Sequence, residues 1–78
     1  MDKYRVRVLN NKNKIIFDEE IHGLAKATNK AKSVEGAINI GITHVGRTLA
    51  PGYYWHKFIG EWKMITEHRF EEMERRGN

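Results

Sequence analysis

Three glycines five residues apart, Gly36, Gly41 and Gly46, interrupt the longest apolar periodicity in the chain. Val34, Ile38, Ile42, Val45 and Leu49 follow at spacings of 4, 4, 3 and 4, the rhythm of one face of a single helix. A helix over 33–49 would carry all three glycines inside it, each costing about 1 kcal/mol relative to alanine. The sequence therefore favours a break at Gly41, with a short helix before it and extended chain after it. The continuous helix over 33–49 stands as the competing reading.

The size of the chain sharpens that choice. Its 78 residues make room for one domain, residues 1–78, and one core. A domain this small buries only about 60% of the surface its unfolded chain exposes. There is no cysteine, so neither a disulfide nor a thiolate metal site can reinforce the fold. Met1-Asp2-Lys3-Tyr4-Arg5-Val6-Arg7 alternates charged and apolar residues and lacks the apolar stretch of a secretory signal. No apolar run approaches the roughly 20 residues that span a bilayer. The expectation is a cytoplasmic protein with no membrane partner.

Residues 4–9 alternate with period two, placing Tyr4, Val6 and Val8 on one face and Arg5 and Arg7 on the other. Asn10-Asn11-Lys12-Asn13 supplies turn chemistry, and Ile15-Ile16-Phe17 reads as the returning strand. Asp18-Glu19-Glu20 and Gly23 are expected to end this hairpin. Leu24 to Asn29 then reads as a short helix, and Lys30-Ala31-Lys32 as a turn. Ser33 is suited to cap a second helix from Val34 to about Ile40, with Gly41 just beyond its end. Strands are expected over 43–49 and 53–58, joined at Ala50-Pro51-Gly52 by a type II turn. A helix from Glu61 to Arg76 closes the pattern, with Ile59, Trp62, Thr66, Phe70 and Met73 as its inner stripe and Glu71–Arg75 and Glu72–Arg76 paired along its surface. The expected fold is α+β: an N-terminal β-hairpin, a helix-turn-helix pair, a two-strand wing and a C-terminal helix.

Charge is distributed unevenly along this pattern. Residues 1–14 carry +4, residues 15–21 carry −3, residues 22–57 carry +4 and the last 21 carry −1. The basic excess thus falls on the hairpin and the central segment, the distribution of a phosphate-binding face. Leu24-Ala25-Lys26-Ala27-Thr28-Asn29, Lys32-Ser33, Ala37-Ile38 with Gly41, and Gly52-Tyr53-Tyr54-Trp55 together resemble the modular DNA-binding segments attached to phage homing endonucleases. The resemblance covers about residues 24–57. It implies two short helices, a terminal aromatic strand and duplex DNA as the partner. No nuclease domain accompanies the segment, which implies a free-standing regulator of phage type.

Under that reading the contacts are Lys30, Lys32, Ser33, Asn39 and Arg47. A helix opening at Ser33 offers its amides and positive dipole end to a phosphate, with Lys30 and Lys32 on either side. Asn39 would project from the second helix and bond bidentately to adenine. Arg47 would touch the backbone or a minor groove from the wing. Tyr53, Tyr54, Trp55, Phe58 and Trp62 are dense enough to stack on unpaired bases, which keeps an RNA-binding module open. The same rings would also serve as the core of so small a domain. A protein-binding inhibitor or modulator of a host enzyme, of anti-restriction or anti-CRISPR kind, is the alternative from another class.

Catalysis is not expected. Gly41 to Thr48 has phosphate-loop spacing, but Arg47 replaces the lysine, and no strand-and-helix setting is evident. His22, His44, His56 and His68 lack the spacing of a helical metal site. No cofactor is implied.

Overall fold

A computed structural model describes residues 2–47 and 49–77. Five strands and two helices alternate as β1 (Lys3–Leu9), β2 (Ile15–His22), α1 (Leu24–Ser33), β3 (Asn39–His44), β4 (Tyr53–Phe58), β5 (Glu61–Met64) and α2 (Glu67–Arg76). The strands form one sheet in the order β2-β1-β3-β4-β5, every neighbouring pair antiparallel. The domain is α+β, but the expected helix-turn-helix pair with a two-strand wing is not formed.

The first hairpin follows its sequence signals. Asn10 Oδ1 accepts the amides of Lys12 and Lys14 at 2.9 and 3.0 Å, and Asn13 takes a φ of 61°. β2 does not stop at the acidic triplet, however, and runs on to His22. The acids remain in the ladder because β2 is an edge strand with cations opposite. Arg5 binds Asp18 through two hydrogen bonds of 3.0 and 2.8 Å, and Lys3 lies 3.4 Å from Glu20.

α1 extends through Asn29 to Ser33, beyond the expected end. Ala27 and Ala31, one turn apart, are buried against the sheet, while Asn29 is exposed and costs the helix little. The chain then turns at Gly36, whose φ is 84°. The second short helix, over 34–40, is therefore absent. From Asn39 to His44 the chain is extended and paired on both edges, with β1 and with β4. The helical spacing of Val34, Ile38 and Ile42 is overruled by tertiary pairing, in which Ile40 and Ile42 occupy alternate positions facing the core. β3 is thus a central strand. It is not the outer half of a wing over 43–49, a span whose Thr48 lies outside the described residues.

β4 occupies 53–58 as its sequence suggests. Gly52 is not among the positive-φ glycines, so the type II turn is not made. Its lack of a side chain serves proximity instead, since a Cβ there would lie 2.6 Å from the Tyr54 hydroxyl. The expected helix over 61–76 is divided. Ile59 and Gly60 reverse the chain, β5 returns beside β4, and Thr66 caps α2 by accepting the Arg69 amide at 3.2 Å. Phe70 and Met73 keep their inward role, and Arg76 donates to Glu72 at 2.6 Å.

Apolar side chains fill both sides of the sheet. Tyr4, Val6, Val8, Ile40 and Ile42 meet Ala27, Ala31 and Ala37 on the α1 side. Leu9, Tyr54 and Phe70 form the second core, under α2. Gly41 makes that core possible, because a Cβ there would stand 2.8 Å from the Phe70 ring.

Candidate nucleic-acid interface

The helices cover the sheet unequally. α1 lies over β1, β2 and β3, and α2 over β3 and β4 on the opposite side. The α1 side therefore continues across β4 and β5 outside the helix footprint. Strand alternation places Tyr53, Trp55 and Lys57 of β4 there, and the register sets Trp62 opposite Lys57 and Met64 opposite Trp55. Tyr53, Trp55 and Trp62 rest on the core from above and are half-buried, whereas Met64 is exposed.

The rings form an ordered surface. Tyr53 and Trp55 lie nearly parallel, 14° apart with centroids 6.3 Å apart. His44 continues the row, 6.2 Å from Tyr53 and 4.6 Å from Tyr4. Its buried Nδ1 has no partner among the described residues. Burial pushes the Tyr4 hydroxyl's pKa above its ordinary value. The ammonium of Lys32, from the last turn of α1, stands 5.2 Å from the Trp55 ring. Lys57 stands 5.7 Å from the Trp62 ring. Each indole thus has a cation at cation–π distance.

Of the five expected contact residues, only Lys32 reaches this surface. Lys30 lies on the other side of α1, 5.6 Å from the Phe17 ring. Ser33 ends α1 and donates its hydroxyl to the Lys30 carbonyl at 2.7 Å, so it caps no second helix. Arg47 is exposed between β3 and β4, with Nη2 3.5 Å from Asp2. Asn39 is only 1% exposed. Its Oδ1 lies 2.6 Å from His56 Nδ1, and its Nδ2 donates to Asn13 at 3.4 Å. A base-reading role for Asn39 fails because a strand, not a helix surface, carries it into the interior. Tyr54 also leaves the aromatic surface: it is buried under α2, where burial raises its hydroxyl pKa.

The residue that sequence reasoning passed over is Lys57, together with the strand that sets Trp62, one of the expected stacking rings, opposite it. The signal was the alternation Glu61-Trp62-Lys63-Met64, four residues that a helical stripe also fits. Among the described residues, no group of three His, Asp or Glu is arranged to hold a metal ion, and no helix is long and apolar enough to cross a membrane. No known protein family, characterised protein or solved structure matches this chain.

Proposed function

We propose that the protein binds single-stranded nucleic acid on the open half of the α1 side of its sheet. The observation that carries this reading is the pairing of two partly exposed indoles with two lysines, Lys32 on Trp55 and Lys57 on Trp62. Bases stack on the aromatic faces, and the ammonium groups swing from the rings to the phosphates on either side. Stacking of this kind is indifferent to base identity and contributes about 1–3 kcal/mol per base. The basic excess of the chain, +4 overall, supplies long-range attraction. Duplex reading by a recognition helix is not retained, since residues 34–40 form no helix.

Both tryptophans of the chain lie on this surface, so intrinsic fluorescence reports binding directly. Titration with a single strand of about 10 nucleotides, DNA or RNA, should quench it at low salt. Lys57→Ala should reduce the salt dependence of log affinity by about 0.7 per phosphate contact removed. Trp62→Ala should weaken binding by about 1–3 kcal/mol. Absence of quenching by either nucleic acid at low salt would refute the reading.

A second reading, capture of an extended protein segment, rests on the free edge of β2. The Gly23 amide donates to Asp2 O at 2.8 Å, which fixes the phase of the β1–β2 ladder. Main-chain groups of Asp18, Glu20 and His22 then face away from β1. Beside them runs a groove lined by Phe17, Ile21, Lys26 and Lys30. Three consecutive carboxylates discourage pairing of this edge with a second copy of itself. An added strand would slow amide exchange at those three residues and nowhere on β5.

A further inference from the structure

The β4–β5 hairpin closes through Ile59 and Gly60, with φ of 50° and 75°. Two consecutive positive φ values are the mark of the primed two-residue turn, for which Asn-Gly is the favoured pair. Isoleucine suits that geometry poorly, because its branched side chain crowds its own backbone in the left-handed region. No burial compensates: Ile59 is 85% exposed and Phe58 beside it 54%. The other hairpin makes the contrast plain. There the only other non-glycine residue with positive φ among the described residues is Asn13, a residue that tolerates the conformation. The chain uses the ordinary solution at one turn and, at the other, keeps an apolar side chain at the apex against both conformational and solvation cost.

That apex stands at the end of the aromatic row. Tyr53 and Trp55 follow one another along β4, Trp62 faces Lys57 on β5, and Ile59 comes next at the turn, past Phe58, which alternation directs to the α2 side. Two residues at about 3.3 Å each place the turn about 7 Å past Trp62, close to two base rises of about 3.4 Å. Lys57 stands just before the turn on β4, and Lys63 after it on β5.

We infer that Ile59 is a wedge for the junction where a single strand held on Trp55 and Trp62 enters a duplex. It inserts between the last base pair and the first unpaired base. This inference rests on the single-strand reading above. Nucleic-acid-binding proteins insert apolar side chains, Phe and Ile among them, between base steps, unstacking them and burying apolar surface that water otherwise covers. Lys57 lies where the phosphates of the emerging strand pass.

The test compares a single strand of about 10 nucleotides with a duplex bearing the same strand as an overhang. The first unpaired base is replaced by fluorescent 2-aminopurine. Wild-type protein should bind the overhang duplex about tenfold tighter than the free strand and brighten the probe by unstacking it. Ile59→Asn installs the favoured Asn-Gly turn, so its melting temperature should rise by about 4 °C or more. The same variant should hold the free strand within about twofold of wild type while losing both the overhang preference and the brightening. Equal wild-type affinity for the two probes, or an Ile59→Asn protein that keeps the preference, overturns the wedge and leaves single-strand binding standing. Failure to bind the free strand overturns both.

Discussion

The two sides of the sheet use the same pairing, a cation against an aromatic ring, to opposite ends. Under α2, the Arg7 guanidinium lies 5.2 Å from the Phe70 ring and donates to both Glu74 oxygens at 2.9 Å. Asn39 links His56 to Asn13, and the Lys14 ammonium donates to the Gly77 carbonyl. These groups are directed at partners within the protein, although Arg7 Nε is buried without one among the described residues, and the ring is fully buried. Across the sheet, Lys32 and Lys57 also stand over rings, yet among the described residues neither has a carboxylate partner. A cation on an aromatic ring closes a core when a carboxylate neutralises it. Left without one, beside a half-exposed indole, it is available to an anion from outside.

The largest effect that would break this contrast is expected at Phe70. Truncation to alanine removes the ring that rests on Gly41 and should cost about 3–5 kcal/mol. That is comparable to the whole stability of many small domains, so thermal melts of Phe70→Ala should show a largely unfolded population at room temperature. A cooperative transition near that of wild type would mean that α2 is not what seals this side.

Asn39→Ala sharpens the contrast at intermediate size. The substitution leaves His56 Nδ1 without its partner in a partly buried setting, at a cost of about 1–3 kcal/mol in denaturant titration. Affinity for single strands, measured where the variant is folded, should be unchanged. A loss of affinity at constant stability would reassign Asn39 to the binding surface.

The smallest expected effect lies on the solvated edge. Hydrogen bonds from Arg5 hold the Asp18 carboxyl below the usual carboxylate range. Its folded pKa is lower than its unfolded one, so the pair stabilises the protein above about pH 4 and the contribution fades as pH falls through the folded value. Both side chains are substantially solvated, which limits the gain to about a few tenths of a kcal/mol. Asp18→Asn should therefore flatten the acid limb of a stability-versus-pH curve only slightly. A drop as large as that for Asn39→Ala would show that the edge is structured more tightly than its exposure implies.

How legible these regions were depends on how local their causes are. The alternation of Tyr4, Val6 and Val8, the asparagine turn at 10–13 and the aromatic strand at 53–58 are set by neighbours in sequence and could be read directly. β3 could not, because pairing with β1, from Tyr4↔His44 to Leu9↔Asn39 and so far off in sequence, decides its conformation while its own spacing suits a helix equally well. β5 is only four residues long, too short for its period to outvote the charged helical pattern that follows. The site inherited both errors. Lys32 is legible as a basic contact, but from a turn ahead of a second helix and not from the last turn of α1, and Asn39 reads as exposed only on a helix over 34–40 that does not form. Trp62 fits both the inner stripe of a helix and a row of stacking rings, and only its place on β5 sets it beside Lys57.

The position of β1 inside the sheet, paired on both edges, has a consequence for how the molecule is made. β1 emerges before the other four strands during synthesis and pairs with β2 almost at once, across a short turn. Its other edge must wait for β3, and the side that α2 seals must wait for Phe70, 61 residues after Leu9. At about 5–20 residues per second that interval lasts roughly 3–12 s. During it Leu9 and the open edge of β1 are presented to the cell as an incomplete surface, able to accept a strand from any neighbouring nascent chain. Crowded translation of this message therefore favours strand-swapped assemblies, and slowing initiation should raise the yield of monomer.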